Sequence, residues 1–305
     1  MNSHSNFLEL GLMGWPLEHS LSPRMHNAAL QTLGLAGEYR LYPIPPLPEG
    51  TTALAELLER MRQGELKGLN VTIPHKQNVL SLLDDLTPAA QAIGAVNMIY
   101  SQGKRLTGSN TDAPGFLADL KQVFPSIFQE PASTALVLGA GGAARAVVYA
   151  LAQAGWRVMV AARRVQQAEE LAASLTPDRS TSTTLSTTPS TSGASRVTPL
   201  LLQESTFAFP FSLLVNTTPL GMFPNIDASP WPAGALFPVG AAVYDLVYNP
   251  PETALLRAAR IAGLPFANGL GMLFEQAVVA FESWTGQPAP REAMRSALAL
   301  DQGKI

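Results

Sequence analysis

Three stretches of this sequence carry side chains that can do chemistry. In GLNVTIPHK, residues 68–76, Lys76 follows a histidine and a proline at the end of an apolar run. An ammonium group so placed can donate a proton to an oxygen that gains negative charge during a reaction. In GAGGAA, residues 139–144, Gly139 suits a tight turn and Gly141 lets backbone approach a pyrophosphate. Ala144 takes the third small position, where the dinucleotide fingerprint accepts alanine, so the backbone from Gly139 through Ala140, Gly141 and Gly142 to Ala143 is a candidate phosphate cradle. In AARR, residues 161–164, the strand after that turn ends without the acid that bonds a ribose 2′-hydroxyl in NAD sites; the next acid is Glu169. Arg163 and Arg164 offer planar donor forks to a 2′-phosphate that a carboxylate would repel. The expected cofactor is NADP.

A nicotinamide cofactor needs a hydride acceptor and a group that exchanges the accompanying proton. The polar residues expected at strand ends or in the following loops of the first half are Ser20, Ser22, Asn70, Thr72, Lys76, Asn97, Asn110 and Asp112. Hydroxyls and amides outnumber charges, which points to a small polyhydroxylated ligand held by many neutral hydrogen bonds. Each residue also has a structural role open to it. Ser22 can cap a helix that Pro23 opens, Asn97 and Asn110 can form turns, Asp112 can cap the next helix, and Lys76 can be a solvated side chain at a helix start. His19 and His26 flank the proline-started helix with no carboxylate at ligand spacing, so no metal is expected.

The elements that must hold these residues read as an α/β protein. FLELGLMG and EYRLYPI have strand character, SPRMHNAALQTL and ALAELLERMRQ helix character, and their alternation argues a parallel layered structure. Leu69, Val71 and Ile73 alternate with Asn70 and Thr72, which is strand periodicity in a run that reads as buried, and Pro74 ends it. That strand delivers Lys76 to its carboxyl end, the edge where open α/β sheets bind ligands. AVNMIYSQGKRLTGSN reads as two short strands about Gln102 and Gly103, and TDAPGFLADL as a connecting helix. A second unit starts at Thr134, where TALVLGAGGAARAVVYALAQAGWRVMVAARR has the size and order of one βαβ unit. FSLLVNTTP and AAVYDLVYN supply later strands. The Ser/Thr/Pro-dominated stretch at about 175–200 has almost nothing to build a core and reads as a mobile surface loop, while GMLFEQAVVAFESWTG and PREAMRSALAL read as amphipathic helices.

At 305 residues and 47% hydrophobic composition the chain is long enough for two ordinary domains. A net charge of -3 gives no general attraction to nucleic acid or anionic membrane. The absence of cysteine excludes disulfides, thiolate metal sites and a cysteine nucleophile together. The start MNSHSNFLEL lacks the basic and apolar segments of a signal peptide, and no apolar run reaches membrane-spanning length, so a cytoplasmic location is expected.

In order and wording these motifs resemble the shikimate dehydrogenase family along nearly the whole chain. The resemblance is carried by GWPLEHSLSPRMHN, GLNVTIPHK, AIGAVN, GSNTDAPG, GAGGAARA, VNTTPLGM, YDLVYNPPETALLRAAR and NGLGMLFEQAVVAFESWTG. It implies reversible reduction of 3-dehydroshikimate to shikimate by NADPH, a step of the chorismate route to aromatic amino acids. It also implies a discontinuous N-terminal α/β substrate domain, residues 1–112 and 269–305, and a Rossmann-type NADP domain, residues 113–268, with the active site in the cleft between them. By the same resemblance Lys76 and Asp112 form the catalytic pair, and Ser20 and Ser22 hold the substrate carboxylate. Thr72, Asn97, Asp112 and Gln276 bond its hydroxyls, Tyr248 lies near the carboxylate, and Met222 and Gly269 line the nicotinamide pocket. Trp15, Met98 and Ala162 depart from the family's usual Asn, Thr and Asn.

An ion pair with Asp112 stabilises the Lys76 ammonium, which suits it to act as the acid in reduction. Oxidation is served either by alkaline conditions or by a relay through Asp112. The expected partner is a small molecule and neither nucleic acid nor membrane, with the chain a monomer or homodimer. Two rival readings are a quinate/shikimate dehydrogenase with relaxed cofactor use and a non-catalytic NADP-binding regulator of the same fold.

Overall fold

The computed structural model describes residues 7–128, 133–175 and 196–299. The chain divides into two compact units, one of Met1–Phe116 with Gly271–Ile305 and the other of Leu117–Leu270.

In the first unit the order is β1 (Leu8–Gly14), α1 (Ser22–Thr32), β2 (Gly37–Pro43), α2 (Thr51–Arg62), β3 (Gly68–Val71), β4 (Asp85–Leu86), α3 (Pro88–Ile93), β5 (Met98–Gln102) and β6 (Arg105–Ser109). The sheet runs β2-β1-β3-β5-β6-β4. Strands β2, β1 and β3 are parallel, as the alternation of elements predicts, but β5 and β6 form an antiparallel hairpin that pairs with β3. Gly103 supplies the positive φ of +62° at its turn.

β3 is buried, as expected, but is shorter than the alternating run from Leu69 to Ile73. It ends at Val71, all four of its residues are buried, and Ile73 beyond it is half exposed. Its burial comes from its place between β1 and β5, with cover on both faces. Leu69 and Val71 pack with Leu54, Leu57, Leu58 and Met61 of α2. At Gly68 a Cβ would stand 2.5 Å from the ring of Trp284, so the glycine lets that indole lie on the strand, where its Nε1 donates to the Ile99 carbonyl at 3.1 Å. Trp284 comes from a long helix near the end of the chain.

α4 (Asp112–Val123) begins in the first unit and ends in the second, which then carries β7 (Thr134–Leu138), α5 (Gly142–Gln153), β8 (Arg157–Ala162), α6 (Val165–Ser174), β9 (Val197–Leu201), β10 (Leu213–Asn216), β11 (Ala242–Asp245), α7 (Ala254–Ile261) and β12 (Phe266–Asn268). Among the described residues its sheet is parallel throughout, in the order β12-β11-β10-β7-β8-β9. β10 and β11 are buried along their whole length, which explains why each is apolar up to its last residue, Asn216 and Asp245. The chain winds outward in one direction from β7 to β9 and in the other from β10 to β12, the doubly wound arrangement. Most of the Ser/Thr-rich stretch, 176–195, lies outside the described residues. Its expected far end is not loop, because Val197–Leu201 pairs with β8 as β9.

The chain closes with α8 (Leu270–Thr285) and α9 (Arg291–Ala299). α8 is not the amphipathic surface helix its sequence suggests. Phe274, Glu275, Gln276, Ala277 and Val278 are all buried in succession, so it is covered on nearly every side.

Candidate active site

Lys76 sits in the turn after β3 rather than at a helix start. Its backbone is tied on both sides. Thr72 N–H donates to the Met13 carbonyl at 2.9 Å, His75 N–H to the Thr72 carbonyl at 2.9 Å, and Val96 N–H to the Lys76 carbonyl at 2.8 Å. His75 is fully buried, and its Nε2 lies 2.8 Å from the Ile44 carbonyl. A carbonyl only accepts, so Nε2 carries the proton there. The Lys76 side chain is 14% exposed, and its Nζ lies 2.5 Å from Asp112 Oδ2. That geometry excludes the solvated lysine.

A buried ion pair repays its desolvation only if further hydrogen bonds satisfy it. Asn97 supplies them. Its Nδ2 donates to Asp112 Oδ1 at 2.8 Å and Thr111 Oγ1 at 2.9 Å, with Gln276 Oε1 at 3.5 Å, while its Oδ1 accepts from Thr111 N–H at 2.6 Å. Gln276 Nε2 donates to the Leu273 carbonyl at 2.7 Å, which turns its Oε1 toward Asn97 and Thr111. Gly115 permits this approach, since a Cβ there would stand 2.7 Å from the Gln276 backbone nitrogen. Lys76, Asp112, Asn97 and Gln276 are thus brought together by side-chain contacts. Thr111, which sequence reading passed over, sits among them; the polar run Asn110-Thr111-Asp112 at a helix start was its signal.

Two capping roles expected from sequence fall to neighbours. α1 begins at Ser22 itself, and Ser22 N–H donates to Ser20 Oγ at 3.3 Å, so Ser20 takes the orphan donor while the Ser22 side chain is buried. Asn110 Oδ1 accepts from Ala113 N–H at 3.2 Å at the start of α4, which leaves the Asp112 carboxylate to Lys76 and Asn97. Thr72 is half-buried beside Gly14, where a Cβ would stand 2.3 Å from its methyl group. Tyr248, Met222 and Gly269 belong to the second unit.

In that unit the glycine turn follows β7 at the point where the strand order reverses. Gly139 has φ of +108°, and a Cβ on it would lie 2.6 Å from Thr217 Oγ1. Above Gly141 no atom lies within 4 Å of where a Cβ would be. Gly141 caps α5 without a side-chain bond, and among the described residues the first-turn N–H groups of Gly142, Ala143 and Ala144 have no acceptor. Open space over unpaired amides at a helix N-terminus fits a pyrophosphate. Ala144 is fully buried, as close packing of helix on sheet requires. Arg163 and Arg164 are exposed at the end of β8, and among the described residues neither pairs with a carboxylate.

Beside this turn, Asp245 ties together the loops after β10 and β11. It accepts from Asn216 Nδ2 at 2.8 Å, Thr253 Oγ1 at 2.6 Å and Val247 N–H at 3.0 Å. Asn216 Oδ1 accepts in turn from Thr218 N–H at 2.9 Å and Thr218 Oγ1 at 2.7 Å. These loops carry Met222 and Tyr248; burial pushes the Tyr248 phenol up. Gly269 fits close by, since a Cβ on it would overlap the Leu246 carbonyl at 2.1 Å.

Burial also pushes the Asp245 carboxyl up from 3.8 to about 6, against the three donors. The folded chain therefore binds more protons than the unfolded chain between those values, so this residue makes stability fall as pH rises through the window. The stability of wild type relative to Asp245→Asn is expected to drop by about 1–3 kcal/mol between pH 4 and pH 7. Urea unfolding of both proteins at the two pH values checks this, and a difference that does not change with pH would contradict it.

A doubly wound parallel sheet with a glycine turn at its switch point, in a chain whose other unit presents a paired lysine and carboxylate, defines a dinucleotide-dependent dehydrogenase. Residues 12–99 match the profile of the shikimate dehydrogenase substrate binding domain, residues 121–192 that of shikimate / quinate 5-dehydrogenase, and residues 269–299 that of the shikimate 5'-dehydrogenase C-terminal domain. The chain is 41% identical over 297 residues to the shikimate dehydrogenase (NADP(+)) of Symbiobacterium thermophilum, covering 97% of this chain and 95% of that one. It is similar in structure to shikimate 5-dehydrogenase from Thermus thermophilus in complex with NADP(H) and shikimate, with a TM-score of 0.79 and 39% identity over 96% of this chain and 99% of that one. Quinate dehydrogenase from Corynebacterium glutamicum in complex with NAD is also similar, with a TM-score of 0.82 and 30% identity over 97% and 100% of the two chains. The chain belongs to the shikimate dehydrogenase family.

Proposed function

We propose that the protein catalyses the reversible NADP-dependent reduction of 3-dehydroshikimate to shikimate, as a cytoplasmic enzyme of aromatic amino acid biosynthesis. Among the described residues no helix is long and apolar enough to cross a membrane. The observation that carries the reading is the Lys76–Asp112 pair, 2.5 Å apart and held by Asn97 in a buried network. We assign residues 1–112 with 269–305 to substrate binding and 113–268 to NADP.

NADPH, when bound, supplies the hydride. Lys76 Nζ donates the proton to the ring oxygen that becomes a hydroxyl, and Asp112 orients the ammonium and stabilises its charge. Asn97, Thr72, Asp112 and Gln276 bond the substrate hydroxyls, Ser20 and Ser22 hold its carboxylate, and Tyr248 closes the carboxylate side. Gly139 to Ala143 hold the pyrophosphate, Arg163 and Arg164 the 2′-phosphate, and Met222 with Gly269 the nicotinamide. In oxidation the proton leaves Lys76 to solvent or through Asp112.

The test is the rate of NADP reduction with shikimate beside that of NAD reduction with quinate. Shikimate with NADP is expected to be the faster pair, on the serine pair and the arginines without a nearby acid. Equal rates would move the assignment to a relaxed-specificity enzyme like the quinate-named relative, and no turnover of either would leave a binding protein.

A further inference from the structure

Asp245 ends β11 with a carboxylate that the mechanism above does not use. It is fully buried, and Asn216 and Thr253 beside it are no more than 1% exposed. Among the described residues no cation pairs with it. Removing an unpaired carboxylate from water is costly, and an apolar residue would end the strand without that cost. What the carboxylate adds is acceptors on both sides. Oδ1 accepts from Asn216 Nδ2 at 2.8 Å and from Val247 N–H at 3.0 Å, and Oδ2 accepts from Thr253 O–H at 2.6 Å.

The first of these bonds fixes which way the Asn216 amide faces. A carboxylate only accepts, so Nδ2 is turned to Asp245, and the same Nδ2 donates to the Leu220 carbonyl at 3.3 Å. Asn216 Oδ1 is left to accept from the Thr218 N–H and hydroxyl. One amide so oriented closes the turn from Asn216 to Leu220, and Met222 follows with its N–H on the Pro219 carbonyl at 3.1 Å. Gly221 permits the packing of this turn on Thr253, since it has φ of +91° and a Cβ on it would stand 3.2 Å from Thr253 Cβ. On the other side Val247, held by its N–H on Asp245, presents its carbonyl to Gly269 N–H at 3.4 Å. The segments that carry Met222 and Gly269 are thus joined through one carboxylate.

We propose that Asp245 is a positioning residue for the nicotinamide half of NADP, acting through Asn216 to hold the turn before Met222 and through Val247 to hold Gly269. The proposal rests on the functional reading above, which puts Met222 and Gly269 at the nicotinamide. Hydride transfer needs reacting atoms about 3–3.5 Å apart, so a small displacement of this pocket lowers rate as well as affinity. The role differs from one in the fold alone by what it spares. Asp245 bonds neither the glycine turn nor Arg163 and Arg164, which are assigned to the other half of the cofactor.

The experiment is calorimetric titration of wild type, Asp245→Asn, Asn216→Ala and the double variant with NADP and with adenosine 2′,5′-bisphosphate. The second ligand has the 2′-phosphate but no nicotinamide. In Asp245→Asn the amide oxygen can still accept from Asn216 and Val247, while its NH2 meets Thr253, so the variant keeps the space and loses the charge and one acceptor. Its Kd for NADP is expected to rise about fivefold, the worth of one ordinary hydrogen bond, with Kd for the bisphosphate unchanged. The double variant is expected to bind NADP less weakly than the product of the two single effects, because Asn216→Ala already frees the turn. Equal rises for the two ligands, unchanged NADP binding, or full additivity would overturn the proposal. If Asp245→Asn does not fold, Thr253→Val carries the test, since it takes the hydroxyl from the carboxylate at nearly constant shape and Thr253→Ser restores it. Weaker NADP binding in the first with recovery in the second supports the role, and unchanged NADP binding in the first overturns it. Wild-type protein that does not turn over shikimate would sink the functional reading itself, whereas wild-type turnover with unaltered NADP binding in Asp245→Asn removes only the role of Asp245.

Discussion

Lys76→Met is expected to cut turnover of shikimate by ~10²–10⁴-fold, the usual contribution of a positioned general acid, with a much smaller change in KM. Methionine keeps the apolar stem in the space the lysine occupies and removes the ammonium. Its weakness as a structural test is that Asp112 loses its charged partner. That carboxylate is 6% exposed at its side chain and keeps the Asn97 amide at 2.8 Å, so the variant should lose some stability as well as activity. A melting curve on the kinetic sample separates the two effects. A folded Lys76→Met protein with near wild-type turnover would remove Lys76 from the mechanism. So would equal losses in Lys76→Met and in a variant far from the network.

Replacing Arg163 and Arg164 together by alanine is expected to raise KM for NADP by at least tenfold and to leave KM for NAD nearly unchanged. Each charge-assisted hydrogen bond to a phosphate is worth about 1.5–3 kcal/mol before screening, and exposure of both side chains brings the pair toward the lower end. The second half of the prediction is the sharper one, because NAD lacks the 2′-phosphate and cannot lose that contact. Initial rates with each cofactor at saturating shikimate decide it. If KM for NADP were unaltered, the 2′-phosphate would have to be held by other groups, and the reading of the β8 terminus would fail.

The cofactor half of this protein was legible in the sequence because its chemistry is local. Strand, glycine turn and helix follow one another within about thirty residues, and the turn demands backbone conformations and open space that only glycine supplies. The strand that ends in Ala162, Arg163 and Arg164 lies one connection further on, so the expectation of NADP also came from local sequence. The lysine proposed as the proton donor was legible as an oddity, a charged residue just past an apolar run. Its partner at Asp112 came from resemblance and not from pattern, since thirty-six positions separate the two.

Tertiary structure decided what depends on neighbours distant in the chain. β3 reads as a buried strand although apolar and polar residues alternate in it, and its pairing with β1 on one side and β5 on the other is what buries Asn70 with Leu69 and Val71. α8 has the periodicity of a surface helix, but Gly68 and Gly115 let it come close enough to bury successive residues and to bring Gln276 onto Asn97 and Thr111. Ser22 and Asp112 have the residue types of helix caps, and only folding showed Ser20 and Asn110 in those roles. Local sequence specifies which backbone conformations and side-chain chemistries are available. Which polar groups become partners is set by the packing of elements, because a buried donor takes whatever acceptor the fold places beside it.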